Sequence, residues 1–266
     1  MPLRLDPSFR EGLAASDRAL IGMWACSGSA LVTEVAAGSG LDWLLIDMEH
    51  AANTLESVLL QLQVVAAYPI VPVVRVPAND AVAIKQVLDL GAQNLIVPMV
   101  SSADEARAAV AATRYPPEGV RGVGSALARS ARWNRVDGYL QESATHTSLT
   151  VQIETAAGVA AAAEIAAVDG VDAVFVGPSD LSASMGLLGQ QTHPEVIAAV
   201  ETVFAAVQGA GRPVGVNAFD PTAADAYIAA GADFVAVGAD VALLARASEA
   251  LAARFIAADG TARASY

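Results

Sequence analysis

This chain is short of the side chains that usually announce a function. Cys26 is the single cysteine among 266 residues, which excludes an intrachain disulfide and any thiolate zinc cluster. Lys85 is the single lysine, and the histidines are His50, His146 and His193. One amine is therefore available for Schiff-base chemistry and three imidazoles for proton transfer. Basic residues number 15 against 28 acidic ones, a net charge of −13, and they form no long run. The cationic footprint that nucleic acid requires is missing, and an anionic membrane surface is disfavoured for the same reason. No apolar run approaches the ~18 residues of a membrane span. The opening stretch "MPLRLDPSFREGLAASDR" is charged throughout and lacks the apolar segment of a secretory signal. Cytoplasm is the expected compartment.

What the chain has is core. Hydrophobic residues make up 55% of it, enough for one large α/β domain and too many for a disordered chain. Apolar runs at 20–24, 42–46, 71–75, 93–97, 149–153, 171–176, 213–216 and 233–237 read as buried strands. Alanine-rich helical patterns lie between them, near 30–38, 54–67, 80–90, 102–112, 155–167, 194–209, 221–230 and 240–256, with an extra helix near 7–15. Eight strand–helix units predict a (β/α)8 TIM barrel spanning 1–266 as one domain. The alternative, a doubly wound open sheet, would carry GxGxxG after its first strand, and none is present.

One connection is abnormally long. "RYPPEGVRGVGSALARSARWNRVDGYLQESATH", residues 114–146, holds two prolines, four glycines and five arginines: Arg114, Arg121, Arg129, Arg132 and Arg135. Long loops in compact domains are usually functional. This one is expected to form a lid or a subunit contact near the site, supplying positive charge locally in an acidic protein.

A barrel of this kind keeps its active site at the C-terminal ends of its strands, so polar residues there are informative. The second strand runs into Asp47, Glu49 and His50, and the third ends at Arg75. The fifth, in "LTVQIET", ends with Gln152 and Glu154, and the sixth runs out into Gly177, Pro178, Ser179 and Asp180. Glu154 and Asp180 are carboxylates on neighbouring strand ends. Such pairs serve as metal ligands, as a glycosidase acid and nucleophile, or as structural ion pairs. Oxygen ligands with open positions suit Mg2+ or Mn2+ better than zinc. The Gly-Pro-Ser turn suits backbone N–H groups aimed at a ligand carboxylate. His50 is the one histidine at a strand's C-terminal end, and an imidazole there can serve as a base at neutral pH. His146 precedes the fifth strand, on the opposite rim, and His193 lies just ahead of a helix. Lys85 falls inside the helix "AVAIKQVLDLG" and points to solvent. Schiff-base catalysis needs a desolvated lysine in the pocket. Carbonyl chemistry on this chain therefore relies on a metal as Lewis acid, the logic of a class II aldolase.

Several strings carry a resemblance. "GMW", "DWLLIDMEH", "PVVRVPANDAVAIKQVLDLGAQNLIVPMV", "VQIET", "GVDAVFVGPSDLSASMG" and "FVAVGADVALLARA" resemble the HpcH/HpaI aldolase family. So does "ADEARAAVAATRYPPEGVRGVGSALARSARWNR", and together they cover roughly residues 12–256. The resemblance implies a pyruvate aldolase that cleaves 4-hydroxy-2-oxoacids, such as 4-hydroxy-2-oxoheptanedioate, to pyruvate and an aldehyde such as succinate semialdehyde. It implies that Glu154 and Asp180 bind a divalent metal (Mg2+, Mn2+ or Co2+) that chelates pyruvate. Gln152 and Ser179 match substrate-contacting positions, Ser179 through backbone beside Gly177 and Pro178. Arg75 matches the residue that stabilises the enolate oxygen, and His50 matches the base. Asp89 matches a carboxylate said to raise the basicity of that base. Asp89 ends a helix, however, which places it at the bottom rim, so a pairing with His50 requires a neighbouring subunit. The family resembles a homohexamer whose last helix is exchanged between paired subunits.

The reading is a metal-dependent class II pyruvate aldolase. Its rivals are a 5-dehydro-4-deoxy-glucarate aldolase giving tartronate semialdehyde, a CoA-ester lyase, and a non-catalytic organic-acid binding barrel. The first is the enzymatic runner-up; Asn217, a polar residue where the resemblance leads one to expect an apolar one, is expected to bear on which aldehyde is accepted. The second has no evident additional nucleotide-binding segment, and the third would fit loss of His50 or of a metal carboxylate.

Overall fold

The structure, a computed structural model, describes residues 3–256; the remaining residues of the predicted 1–266 domain lie outside the described ones. Eight strands form a closed parallel barrel in sequence order. They are β1 (Leu20–Ala25), β2 (Trp43–Asp47), β3 (Val71–Arg75), β4 (Asn94–Val97), β5 (Ser148–Ile153), β6 (Ala173–Val176), β7 (Val214–Asn217) and β8 (Phe234–Ala239). The helices are α1 (Phe9–Ala15), α2 (Ala30–Ala37), α3 (Leu55–Val65), α4 (Ala81–Asp89), α5 (Ala103–Thr113) and α6 (Tyr139–His146). They continue with α7 (Ala156–Ala160), α8 (Ala162–Ala166), α9 (Pro178–Ser184), α10 (Pro194–Gly209), α11 (Pro221–Ala229) and α12 (Asp240–Phe255).

Most helices begin where a short polar side chain can accept a backbone N–H left free in the first turn. Ser29, Thr54, Asp80, Ser102, Thr155 and Asp220 each do so. The predicted helix 155–167 divides at Ala161 into α7 and α8. The expected Gly-Pro-Ser turn continues as α9, whose seven residues are too few to show a helical period.

Two layers of core explain the hydrophobic content. Aliphatic side chains from the outer faces of the strands pack against the helices. Inside the barrel lie Trp24, Trp43, Phe175 and Phe234, with Phe9 of α1 plugging the lower end. Phe9 packs edge-on to Phe234 at 5.2 Å and tilted against Trp43 at 5.4 Å. Two strand glycines make the room: a Cβ on Gly22 or Gly215 would lie 2.4 Å from the rings of Trp43 or Phe234. Large aromatic rings thus stand where eight strands leave a lumen to fill.

The long connection corrects an expectation. It follows a helix and precedes a strand, so it runs along the rim at the strands' N-terminal ends. Arg121 ion-pairs with Asp89 at 2.8 Å, Arg129 donates to the Leu90 carbonyl at 3.0 Å, and the Leu3 N–H donates to the Arg135 carbonyl. Arg121 is fully buried and stacks over Tyr115. None of these arginines forms a lid over the strand C-termini of its own chain.

Candidate active site

β2 and β3 are in register so that Asp47 and Arg75 are direct neighbours at their C-terminal ends. Asp47 is buried and takes Arg75 as a two-point fork, Nε to Oδ1 at 2.8 Å and Nη2 to Oδ2 at 2.9 Å. The same carboxylate accepts the backbone N–H groups of Glu49 and His50. One buried acid therefore orients the guanidinium and ties down the turn that presents both neighbours. Arg75 also sits over the Trp24 ring, its guanidinium carbon 4.2 Å from the centroid, a cation–π contact strengthened by burial. Nη1 sits 2.7 Å from Glu49 Oε2. That oxygen lies off the direction of the N–H bonds and is buried with no hydrogen-bond partner. Burial pushes the Glu49 carboxyl up, against the pull of Arg75 and His50.

Glu154 follows β5 and is buried. Its Oε1 accepts the Met99 N–H at 2.7 Å, and its Oε2 accepts Gln152 Nε2. Met99 holds a left-handed conformation with φ 58°, which turns its N–H onto the carboxylate. Gly177 closes the other side; a Cβ there would lie 2.9 Å from Glu154 Oε2. Desolvation pushes Glu154 up to about 7, offset by the two hydrogen bonds and reinforced by the charges of Glu49 and Asp180. Pro178, Ser179 and Asp180 form the first turn of α9, with Asp180 exposed, where the helix dipole favours a negative charge.

The strand-end residues therefore meet: Asp47, Glu49, His50, Arg75, Gln152, Glu154 and the Gly177–Asp180 turn share one rim. Asp89 does not join them within the chain. It ends α4 at the far rim and pairs with Arg121. Lys85 lies on α4, whose buried face is Ile84, Val87 and Leu88. His193 caps α10, its Nδ1 accepting the Glu195 N–H, and His146 stacks on Tyr139 at the lower rim. Cys26 is no nucleophile: burial pushes its thiol up to about 12. The rim also holds residues not singled out as site members. Asp47 and Glu49 were visible as acids at a strand end, and the equal reach of β2 and β3 is the signal that pairs Asp47 with Arg75. Trp24 and Met99 carry no such signal in one dimension.

The donor set suits a hard divalent cation. Glu154 feels the charge of Asp180, and two buried oxygens, Glu49 Oε2 and Gln152 Oε1, have no hydrogen-bond partner. Among the described residues no three Asp, Glu, His or Cys side chains converge as a complete ligand cage. Two carboxylates with further positions left to substrate and water are the usual arrangement for Mg2+.

The raised Glu154 carboxyl has a testable consequence for the metal-free protein. A carboxyl that titrates at about 7 when folded and 4.5 when unfolded destabilises the fold above pH 7, by about 3 kcal/mol. The penalty fades as pH falls from 7 to 4.5 and is gone below that. Glu154→Gln removes the charge and keeps the shape, and the Gln152 amide can turn over to donate or accept as needed. Thermal unfolding of metal-free Glu154→Gln is expected several degrees above wild type at pH 8 and level with it at pH 4.5. Equal midpoints at pH 8 would show that Glu154 is well solvated.

Fold and rim together define a barrel enzyme with proton-handling groups, an oriented guanidinium and paired carboxylates at its strand ends. The chain belongs to the HpcH/HpaI aldolase/citrate lyase family, whose pattern matches residues 20–247. It is 53% identical, over 93% of its length and 94% of the relative, to a 4-hydroxy-2-oxo-heptane-1,7-dioate aldolase of Salmonella dublin. A crystal structure of an HpcH/HpaI aldolase/citrate lyase family protein from Burkholderia cenocepacia J2315 is similar at 42% identity, with a TM-score of 0.89 over 92% of this chain and 98% of that one. An HpcH/HpaI aldolase from Desulfitobacterium hafniense DCB-2 superposes with a TM-score of 0.86 at 29% identity, over 97% and 100% of the two chains.

Proposed function

We propose that this chain is a class II pyruvate aldolase, cleaving 4-hydroxy-2-oxoacids such as 4-hydroxy-2-oxoheptanedioate reversibly to pyruvate and an aldehyde. The similarity to a 4-hydroxy-2-oxo-heptane-1,7-dioate aldolase supports the substrate class. The observation that carries the chemistry is the buried Glu154 carboxylate at the end of β5, raised to about 7 by burial, on the same rim as the Arg75 guanidinium that Asp47 clamps. Glu154 and Asp180 would hold Mg2+, Mn2+ or Co2+, which supplies Lewis-acid polarisation of the oxoacid.

The chain's own residues do the rest. Gln152 and the Gly177–Ser179 turn seat the pyruvate half, with backbone N–H groups available at the start of α9. His50, through water, draws off the C4 hydroxyl proton. The C3–C4 bond breaks to give an aldehyde and the enolate of pyruvate. Arg75 donates to the oxygen that gains charge as the bond breaks. Stabilisation of that kind accelerates the step, because the charge is greatest in the transition state.

A second reading, cleavage of 5-dehydro-4-deoxy-glucarate to pyruvate and tartronate semialdehyde, is favoured by Asn217. Its Oδ1 takes the Trp24 indole N–H at 2.8 Å, and since that indole is a donor only, the amide NH2 is left to meet an oxygen on the aldehyde half. A homo-oligomer, hexameric by family resemblance, belongs to the same proposal. Val123, Leu127 and Trp133 on the long connection and Leu243, Leu244 and Leu251 on α12 stand exposed, apolar surface that a second copy would cover. A neighbouring copy would also be the source of any Asp89 beside His50. Among the described residues no helix is long and apolar enough to cross a membrane, which accords with a cytoplasmic enzyme. Pyruvate release from a panel of 4-hydroxy-2-oxoacids tests the function: release with an aldehyde co-product is expected, and silence across the panel would sink the reading.

A further inference from the structure

Two arginines of the long connection lack the acid that such a group usually finds. Arg114 pairs with Asp169 and Arg121 with Asp89, whereas Arg129 and Arg132 have no ion pair among the described residues. Arg129 Nη1 donates to the Leu90 carbonyl at 3.0 Å, and Arg132 Nη1 donates to the Arg129 carbonyl at 2.7 Å. Each therefore keeps its Nε and Nη2 N–H groups. The two guanidinia converge: a Cβ built on Gly91 would lie 2.7 Å from Arg129 Nη1 and 3.0 Å from Arg132 Nη1. Burial and then the charge of Arg132 hold the Arg129 guanidinium below the usual arginine range, and burial lowers Arg132 against the pull of Asp6. The backbone there is costly as well. Arg132, Trp133 and Asn134 are left-handed in succession, with φ 49°, 57° and 59°, a conformation that non-glycine residues rarely repeat and that clusters at binding sites.

Both guanidinia line a cavity of about 280 Å³ at the N-terminal rim of the barrel, between the start of α1 and the turns that lead into β3 and β4. Leu62, Val65, Ile70 and Pro72 give it an apolar wall. Its neutral donors are already engaged, Gln93 Nε2 with the Asp6 carbonyl and Asn94 Nδ2 with the Pro72 carbonyl, both at 2.9 Å. The exposed Asp6 is the one acid lining it among the described residues. We propose that this cavity binds a small organic acid, one carboxylate on an apolar body, with the carboxylate between Arg129 and Arg132 and the body against the wall. A ligand with a second negative charge would meet Asp6 and leave the wall unused. Sites of this build, mostly apolar with a few convergent polar groups, are the usual form of a small-molecule pocket. The cavity lies at the opposite end of the barrel from Glu154. None of Val123, Leu127 and Trp133, the exposed apolar side chains assigned above to a second copy, lines it. The proposal is therefore independent of the aldolase reading.

Calorimetric titration of benzoate into the full chain tests it. One site per chain is expected, with hexanoate binding as well. Acetate and inorganic phosphate should bind roughly tenfold or more weakly, because neither buries an apolar body. Arg129→Met and Arg132→Gly each remove charge-assisted hydrogen bonds and should weaken benzoate roughly 10–100-fold. Glycine suits the left-handed backbone at 132, so that variant should unfold no earlier than wild type. Gly12 also lines the cavity, and a Cβ there meets nothing within 4 Å. Gly12→Leu favours the helix, fills the space and should block benzoate with both guanidinia in place. Glu154→Gln, at the far rim, should bind benzoate as wild type does, which separates this cavity from any acid held at the strand C-termini. Wild type that binds no benzoate overturns the proposal. So does phosphate binding as tightly as benzoate, benzoate binding that survives Arg132→Gly or Gly12→Leu, or its loss in Glu154→Gln.

Discussion

Exhaustive chelation is expected to abolish pyruvate release, and Mg2+ or Mn2+ to restore it. The physical case begins with an amine that is in the wrong place. Lys85 lies on α4, on the outer wall of the barrel, with its side chain running past Gly122 of the long connection. Schiff-base catalysis needs a lysine desolvated inside the pocket so that its amine is neutral, and the pocket of this chain contains none. What the pocket offers is carboxylate oxygen, with Glu154 raised to about 7 by burial and by the charges of Glu49 and Asp180. Glu154 and Asp180 would hold a divalent cation, which would relieve that repulsion and supply the electrophile. Loss to background is the largest effect expected of any treatment here, since the remaining residues offer one guanidinium against the full charge of an enolate. Borohydride in the presence of pyruvate should leave the mass of the protein unchanged. A pyruvate adduct on Lys85 would overturn the assignment.

Arg75→Lys is expected to be nearly as damaging although it preserves charge. Arg75 satisfies Asp47 through Nε and Nη2 together, sits over the Trp24 ring and keeps Nη1 beside Glu49. A lysine ammonium is a point donor on a flexible stem and reproduces neither the fork nor the stacking. Asp47, buried at the end of β2, would lose one of its two directed bonds, and the turn carrying Glu49 and His50 would lose its anchor. Removing one well-placed oxyanion donor typically costs ~3 kcal/mol, or roughly 10²-fold in rate, and the loosened turn adds to that. The decline should appear in kcat, with Mn2+ affinity near normal, because Glu154 and Asp180, the residues proposed to hold the metal, follow β5 and β6 rather than β2 and β3. Near-normal turnover would mean that Arg75 serves only to hold β2 against β3.

Periodicity and turn chemistry carried most of the fold. Eight apolar runs of strand length, each followed by a helical pattern, leave a parallel closed barrel as the economical solution, and the observed strands fall on those runs within a few residues. Strand ends then located the rim, because a barrel puts all eight C-termini on one face. His50, Arg75, Gln152, Glu154 and Asp180 were legible for that reason. Residues joined by backbone conformation were not. Nothing in one dimension shows that Met99 turns left-handed to aim its N–H at Glu154, or that Gly177 is small because Glu154 Oε2 lies 2.9 Å from where its Cβ would be.

The long connection shows the limit most clearly. Its length and its five arginines spoke for function near the site, and composition cannot say at which end of a barrel a loop lies. Topology can, since a segment between a helix and the next strand returns to the N-terminal rim, and there Arg121 buries itself against Asp89. The sequence alone determined the barrel, the family resemblance and the inventory of acids and bases, because these depend on local pattern and on residue type. Tertiary structure alone decided that Asp47 belongs to Arg75, that Asp89 belongs to Arg121, and that Glu49 faces inward while His50 faces out. Those facts depend on strand register and burial, which arise only when distant segments pack.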